Sequence, residues 1–251
     1  MKRSLFVLFS VFVCLAIGQP DALAQCVFFV LAPPDGREIG PFTNSGGTNL
    51  NVPYFQPEAG RSYSIEVVSA TSGLITAYTG DQGTSCPTAN NASATVTTSV
   101  SPRLDSRGTR LSIIASSSSF IATRVDTGTF RYSVTETTLF NSSWSTVNGF
   151  LTQWGLQNTT DASISGVLTV RESFGGSATY TKSVTIPANS TAFILTQDTF
   201  TGGPIPTQRA GSATFAHNGP PGSILGDGFL INTANSNIIP VLFRPARSSG
   251  R

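Results

Sequence analysis

A two-residue alternation of apolar and polar side chains recurs along the chain and constrains its fold more than any other feature. In RSYSIEVVS, Tyr63, Ile65 and Val67 alternate with serines and a glutamate. Successive side chains of a β-strand point to opposite faces, so this period predicts strands with one face on a core and one in water. No segment sustains the apolar spacing of an amphipathic helix. The alternation therefore predicts an all-β protein.

The second half of the chain repeats this pattern. In FLTQWGLQN, Trp154 and Leu156 share one face, which places Trp154 inward, and in ATYTKSVTIP, Tyr180 and Val184 do the same. The pair Gly175-Gly176 precedes the latter segment and predicts a compact hairpin turn. Short strands about ten residues apart, separated by Gly, Pro and Asn, are typical of antiparallel β-sandwiches of jelly-roll or immunoglobulin-like type.

The chain is long enough for two such sandwiches of about 110 residues each in tandem. We expect a first domain over residues 25–138, a linker over 139–145 and a second domain over 146–251, because alternation lapses in the segment TLFNSSWST. Phe140 and Trp144 of that segment either join the two domains or each cap the core of one. A single large sandwich or barrel is the competing architecture.

The N-terminus has the pattern of a secretory signal peptide over residues 1–24. Lys2 and Arg3 precede the apolar run SLFVLFSVFVCLAI, and Ala22-Leu23-Ala24 offers small residues before a cleavage point at Gln25. A membrane anchor, or a lipoprotein signal using Cys26, is the alternative. The mature chain is expected to be secreted, periplasmic or attached to the cell surface, with no membrane span.

Charge and cysteine content narrow the function classes further. The formal net charge is only +2, so the chain lacks the strong positive electrostatic field that attracts nucleic acid or an anionic membrane.

Beyond the signal segment two cysteines remain, Cys26 and Cys86. In an oxidising compartment they suggest a disulfide, and two buried free thiols are the alternative. With one histidine in the chain they make no zinc site. No metal or cofactor is expected.

Two segments of the first half carry a family resemblance. YFQPEAGRSYSIEVVSA and DTGTFRYSVTE together resemble the early and late strands of the bacterial pre-peptidase C-terminal domain, over roughly residues 25 to 137. The matching positions are Gly60, Tyr63, Ile65 and Val67 in the early strand, and Gly128, Phe130, Tyr132 and Val134 in the late one. The resemblance implies a small jelly-roll-like β-sandwich. Some members bind calcium through acidic loops, but only Asp35 and Glu38 lie in the corresponding region, so calcium is not expected. The second half resembles uncharacterised β-sandwich modules of bacterial secreted proteins.

Two motifs of the sequence bear on catalysis. VDTGT, around Asp126, resembles an aspartic protease signature, but that chemistry needs two carboxylates and the sequence has no second such motif. TRVDTGTFRY instead predicts a β-hairpin.

The second motif is SATFAHNG, in which alternation puts His217 on an inward face at a strand end. A serine–histidine–aspartate triad using Asp227 would need an activated serine, and no G-x-S-x-G elbow occurs. We therefore expect a structural His217 and assign no catalytic residue.

These observations favour a non-catalytic, adhesion-like structural or interaction protein of the cell exterior. Its partner would be a protein or a polysaccharide at the cell surface. Carbohydrate binding is the alternative, since sandwiches bind glycans through exposed aromatic rings, and a small hydrolase is the third. The candidate ligand-binding residues are Tyr54, Phe55, Tyr78, Trp144 and His217.

Overall fold

The computed structural model describes residues 26–45, 49–69, 73–82, 92–100, 109–115, 118, 120–125 and 127–246. Across these ranges the chain forms strands and one 3-10 turn, Val147–Gly149, without any α-helix, so the all-β prediction is confirmed. The strands of the first half are β1 Cys26–Leu31, β2 Ile39–Ser45, β3 Asn49–Phe55, β4 Ser62–Ser69, β5 Gly73–Gln82, β6 Ala92–Val100, β7 Thr109–Ile114, β8 Phe120–Val125 and β9 Thr127–Glu136. Those of the second half are β10 Leu139–Ser145, β11 Phe150–Asn158, β12 Ile164–Phe174, β13 Thr179–Ile186, β14 Thr191–Leu195, β15 Ala210–His217, β16 Ile224–Asn232 and β17 Asn237–Pro245.

The first half contains two sheets that share one core. One sheet has the order β1-β3-β8-β5-β6 and the other β2-β9-β4-β7. β1 and β3 are parallel, which departs from the expected antiparallel pairing. Buried apolar residues of both sheets, among them Phe55 and Ile65, form one cluster. Thr123 and Tyr132 join β8 to β9 through a buried hydroxyl–hydroxyl hydrogen bond of 3.1 Å.

The segment TRVDTGTFRY is not the hairpin that its turn residues suggest. β8 pairs with β3 and β5, whereas β9 pairs with β2 and β4, so the chain crosses from one sheet to the other here. Asp126 itself lies outside the described residues. The hairpin prediction was wrong because Asp and Gly favour a turn without specifying which sheet receives the following strand.

The second half forms an eight-stranded sheet that is nearly closed into a barrel. Its order is β13-β12-β15-β10-β17-β16-β11-β14. Edge strand β13 reaches the chain just beyond β14, where Thr181 and Thr201 exchange backbone hydrogen bonds of 3.0 and 2.8 Å. Trp154, Leu168 and Phe215 lie in the enclosed core, so the inward placement of Trp154 is confirmed. The predicted hairpin at Gly175-Gly176 joins the antiparallel strands β12 and β13 and is also confirmed.

Residues 139–145 are not a linker. They form β10, in which Leu139 pairs with Phe215 of β15 on one side and with Pro245 of β17 on the other. A register shift between Asn141 and Trp144 interrupts the alternation, which is why the sequence pattern lapses in this strand. The segment expected to separate two domains is therefore a central strand of the second sheet.

The two aromatic residues of β10 contact different parts of the chain. Trp144 is buried in the core of the second half and donates from Nε1 to the carbonyl of Arg171 over 3.1 Å. Phe140 lies under the guanidinium of Arg61, a first-half residue, at 5.0 Å from the ring centroid. Trp144 thus caps its own core, whereas Phe140 contacts the preceding half.

A small group of buried hydroxyls surrounds the connection between β9 and β10. The N–H of Ser62 donates to Oγ1 of Thr138 over 2.9 Å, and the N–H of Thr137 donates to the carbonyl of Ser62 over 2.8 Å.

The buried apolar residues form two clusters, one drawn from residues 32–134 and the other from residues 139–243. The division into two domains stays a prediction.

Two further predictions fall on parts of the chain that are not described. Residues 1–24, the expected signal peptide, and Cys86, the expected partner of Cys26, lie outside the described ranges. Within those ranges, no helix has the length and apolar character needed to span a membrane.

Candidate functional site: the outer face of the second sheet

Four adjacent strands, β14, β11, β16 and β17, turn one side of the sheet to solvent, and this side is unusually apolar. Its exposed large apolar side chains are Phe193, Leu225, Phe229, Ile238 and Leu242, which together define the outer face. The residues next to them along the strands, such as Ile194 and Val241, point inward and are buried.

The exposure of these side chains is large. Phe193 is 67% exposed and Leu242 is 59% exposed, although both lie in regular strands. Exposed apolar residues scattered singly are normal on soluble proteins, but their concentration on one face marks a surface that contacts something else. The outer face is therefore the strongest candidate for a functional surface among the described residues.

A glycine without a side chain lies in the middle of this face. Gly155 of β11 is flanked by Phe193 of β14 on one side and by Asp227 of β16 on the other. A Cβ atom at Gly155 would collide with Oδ1 of Asp227 and would lie 3.5 Å from Cε1 of Phe193. The missing side chain thus leaves room for an aromatic ring and a carboxylate to meet over the same point of the backbone.

Asp227 is exposed and is the acidic residue of this face. Among the hydrogen bonds and ion pairs formed by the described residues, none involves its carboxylate. Arg244, on β17 of the same sheet, is also exposed and forms no ion pair with it. The carboxylate is therefore available to a partner that approaches the face.

A cleft lined by both polar and apolar groups opens beside one end of the outer face, at Leu151. Its volume is about 290 Å³, and hydroxyl and amide side chains line it together with Phe150; they include Thr196, Gln197, Gln208 and Thr233. Thr146 holds one wall, because its Oγ1 donates to the carbonyl of Pro206 over 2.8 Å and accepts from the N–H of Arg209 over 3.0 Å. Gln208 adopts a positive φ of 60°, a conformation that non-glycine residues rarely take. The cleft lining carries no charged side chain.

His217 is a buried polar residue at the end of a strand. It is 1% exposed at the end of β15, as its place in the alternation predicts. Burial lowers the pKa of the imidazole to about 4, against the smaller opposing effect of a hydrogen bond to the backbone of Thr137. Asp227 lies on the solvent side of β16, so the structure does not bring these two residues together.

Most of the aromatic residues expected to bind a ligand do not present an exposed ring on the outer face. Phe55 and Trp144 are buried, so neither ring can stack on a ligand from solvent. Tyr54 is half-buried, and the side chain of Tyr78 lies outside what the structure describes. The exposed rings of the second half are instead Phe193, Phe229 and Phe174.

The acids of the second half lie singly. Glu172 is held by the hydroxyl of Tyr180 at 2.8 Å and the N–H of Ala178 at 3.1 Å, with Nε of Arg209 at 3.5 Å. This arrangement secures the end of the β12–β13 hairpin. In the described ranges, no three His, Cys, Asp or Glu side chains gather as metal ligands would.

Comparison with known proteins adds no relative. No protein-family model matches the chain, and no curated protein matches it either. The resemblance of the first half to the pre-peptidase C-terminal domain therefore stays a prediction. Function has to be argued from the geometry of the second sheet.

Proposed function

We propose that this protein is an exported, non-catalytic interaction protein of the bacterial cell exterior, built from two β-domains, and that it docks a partner protein through the outer face. The observation that carries the proposal is the concentration of exposed Phe, Leu and Ile side chains on β14, β11, β16 and β17. The two separate apolar clusters support the proposed pair of domains.

The energetics favour a protein partner for this face. Fully burying one large apolar side chain contributes about 1.5 to 3 kcal/mol, so covering several that are half-exposed or more contributes several kcal/mol. Aliphatic side chains such as Leu225, Ile238 and Leu242 gain most from packing against other apolar side chains, as in the centre of protein interfaces. Sugars, in contrast, are recognised mainly by flat aromatic rings and hydrogen-bonding groups.

A matched pair of variants tests the proposal. Phe193→Ser with Leu242→Ser changes the outer face, and Phe174→Ser changes an equally apolar residue that is 59% exposed but lies on β12, away from the face. Binding of labelled protein to intact cells and envelope fractions of the source organism is the readout. We expect the double variant to lose most of the saturable binding and Phe174→Ser to keep it. Equal binding by all three proteins would contradict the proposal.

The neutral cleft favours carbohydrate binding as a second candidate function. Hydroxyl and amide groups beside the ring of Phe150 are the groups that hold a neutral sugar. A glycan panel tests this with Gln197→Ala, which removes a cleft amide, and with Gln157→Ala, which removes an exposed amide of β11 outside the cleft. Saturable binding that only Gln197→Ala weakens would support it, and a flat response from the folded protein would exclude the glycans on the panel.

A further inference from the structure

We propose that the partner of the outer face places an arginine side chain against the carboxylate of Asp227 and the ring of Phe193, which lie side by side over Gly155. This inference rests on the proposed docking function and names the chemistry of its central contact. It assigns a role to three residues, one on each of the strands β11, β16 and β14.

The strand register brings these residues together. Gly155 pairs with Phe193 in β14 and with Asp227 in β16, so the three lie in one row across the sheet. The carboxylate of Asp227 occupies the space that a side chain at position 155 would fill, and Cε1 of Phe193 lies 3.5 Å from that Cβ position. An approaching side chain therefore meets a negative group and an aromatic ring at the same place.

The electrostatics of docking require a cation there. A partner that covers the apolar side chains around Asp227 also removes water from its carboxylate. A carboxylate buried without a partner costs several kcal/mol, whereas one that is paired and hydrogen-bonded can be accommodated. In the described part of the chain no cation pairs with Asp227, so a partner that brings a cation removes this cost.

The ring beside the carboxylate favours arginine over lysine. A guanidinium is planar, so it can stack on Phe193 while it donates two parallel hydrogen bonds to Asp227. It is also more weakly hydrated than an ammonium group, which lowers the cost of placing it in an apolar surface. Arginine is, for these reasons, common among the residues that dominate the binding energy of interfaces.

Two peptides test the inference directly. One alternates valine and threonine around a central arginine, and the other carries citrulline, a neutral group of nearly the same shape, in its place. Each is titrated into isotope-labelled protein and followed by nuclear magnetic resonance. We expect the arginine peptide to bind about tenfold tighter or more, with amide shifts centred on Gly155, Phe193 and Asp227. Equal affinities, shifts elsewhere or no binding of the arginine peptide would overturn the inference.

Three variants test which residues give the preference for the arginine peptide over the citrulline peptide. Asp227→Asn keeps the shape of the site and should bring the ratio of the two affinities to about one. Gly155→Ala should have the same effect, because its methyl group displaces the carboxylate. Asp161→Asn, an exposed acid in the turn before β12, is the control and should leave the ratio unchanged. If the ratio is one for the wild type as well, the inference fails, yet the cell-binding comparison of outer-face variants still decides the proposed function separately.

Discussion

The backbone N–H of Gly219 donates a hydrogen bond to Nδ1 of His217 over 3.1 Å, inside the protein. The imidazole also stacks on Phe215, with 5.8 Å between ring centroids. Protonation at Nδ1 would replace an acceptor with a second donor facing the N–H of Gly219. Burial of the charge and this clash of donors both favour the neutral ring, in agreement with a pKa lowered to about 4.

Because His217 is buried as a neutral ring, we expect the free energy of unfolding to fall in mild acid. The pKa of an unfolded histidine is about 6.5, so the unfolded chain takes up a proton that the folded chain refuses. The stabilisation is present above pH 6.5 and is lost as the pH falls toward 4, by up to about 3 kcal/mol in the free energy of unfolding. Urea unfolding at pH 7.5 and pH 4.5 measures the loss. His217→Phe should lower stability at pH 7.5 but reduce its fall between the two pH values; an unchanged fall would contradict the assignment.

Any side chain at position 166 should lower the stability of the protein. A Cβ atom at this position of β12 would lie 2.5 Å from Cζ of Phe215 and 2.5 Å from the carbonyl oxygen of Ala216. Overpacking of this kind costs about 1 to 3 kcal/mol, so Gly166→Ala should lower the melting temperature by several degrees. Ser183→Ala, an exposed change on neighbouring strand β13, should stay within about 0.5 kcal/mol of the wild type. Similar stability for both variants would contradict the close packing.

The hydrogen bond from Tyr180 to Glu172 should contribute measurably to the barrel. The Glu172 side chain is 3% exposed, and its Oε1 accepts from the tyrosine hydroxyl over 2.8 Å. Tyr180→Phe leaves this buried carboxylate with one donor fewer, which should cost about 1.5 to 3 kcal/mol. Chemical denaturation of Tyr180→Phe, Glu172→Ala and the double variant forms a cycle that isolates the interaction. Additive effects of the two changes would show that the bond contributes nothing.

The outer face should matter for binding and hardly at all for folding. Phe193 exposes most of its ring on the edge strand β14, so Phe193→Ser should change the free energy of unfolding by no more than about 0.5 kcal/mol. The same variant should bind a fluorescent hydrophobic dye more weakly than the wild type. Calorimetry and dye titration on one preparation measure both effects. A large loss of stability would mean that the ring supports the sheet and is not kept for a partner.

Alternation predicted the strands well where one face is polar and the other apolar. β4, β9, β11 and β13 all lie where the pattern places them. It missed β10 because the register shift between Asn141 and Trp144 breaks the period, and because the serines of this segment are typical of a loop. The pairing of β8 with β5 rather than with β9 depends on contacts between distant segments, which turn residues do not encode.

The candidate site was not predictable by the same route. In β16 and β17, apolar side chains occupy both faces of the strand, so alternation cannot distinguish the core from a docking surface. In the sequence, Asp227 is a candidate partner for His217. In the folded sheet it lies instead in one row with Gly155 and Phe193. A charged residue within an otherwise apolar strand was the one available signal, and its meaning depends on three strands that meet only in the folded sheet.

The strand order of the barrel has a consequence for how the chain is made. β10 and β17, the first and last strands of the second half, are neighbours in the middle of its sheet. Pairings between residues so far apart in sequence form slowly, because a long loop has to close before they can contribute. While β17 is still being synthesised, the sheet lacks a central strand and its two parts cannot join through β10. The eight-stranded sheet of the second half is therefore completed only when β17, the last of its strands in the sequence, pairs with β10 and β16.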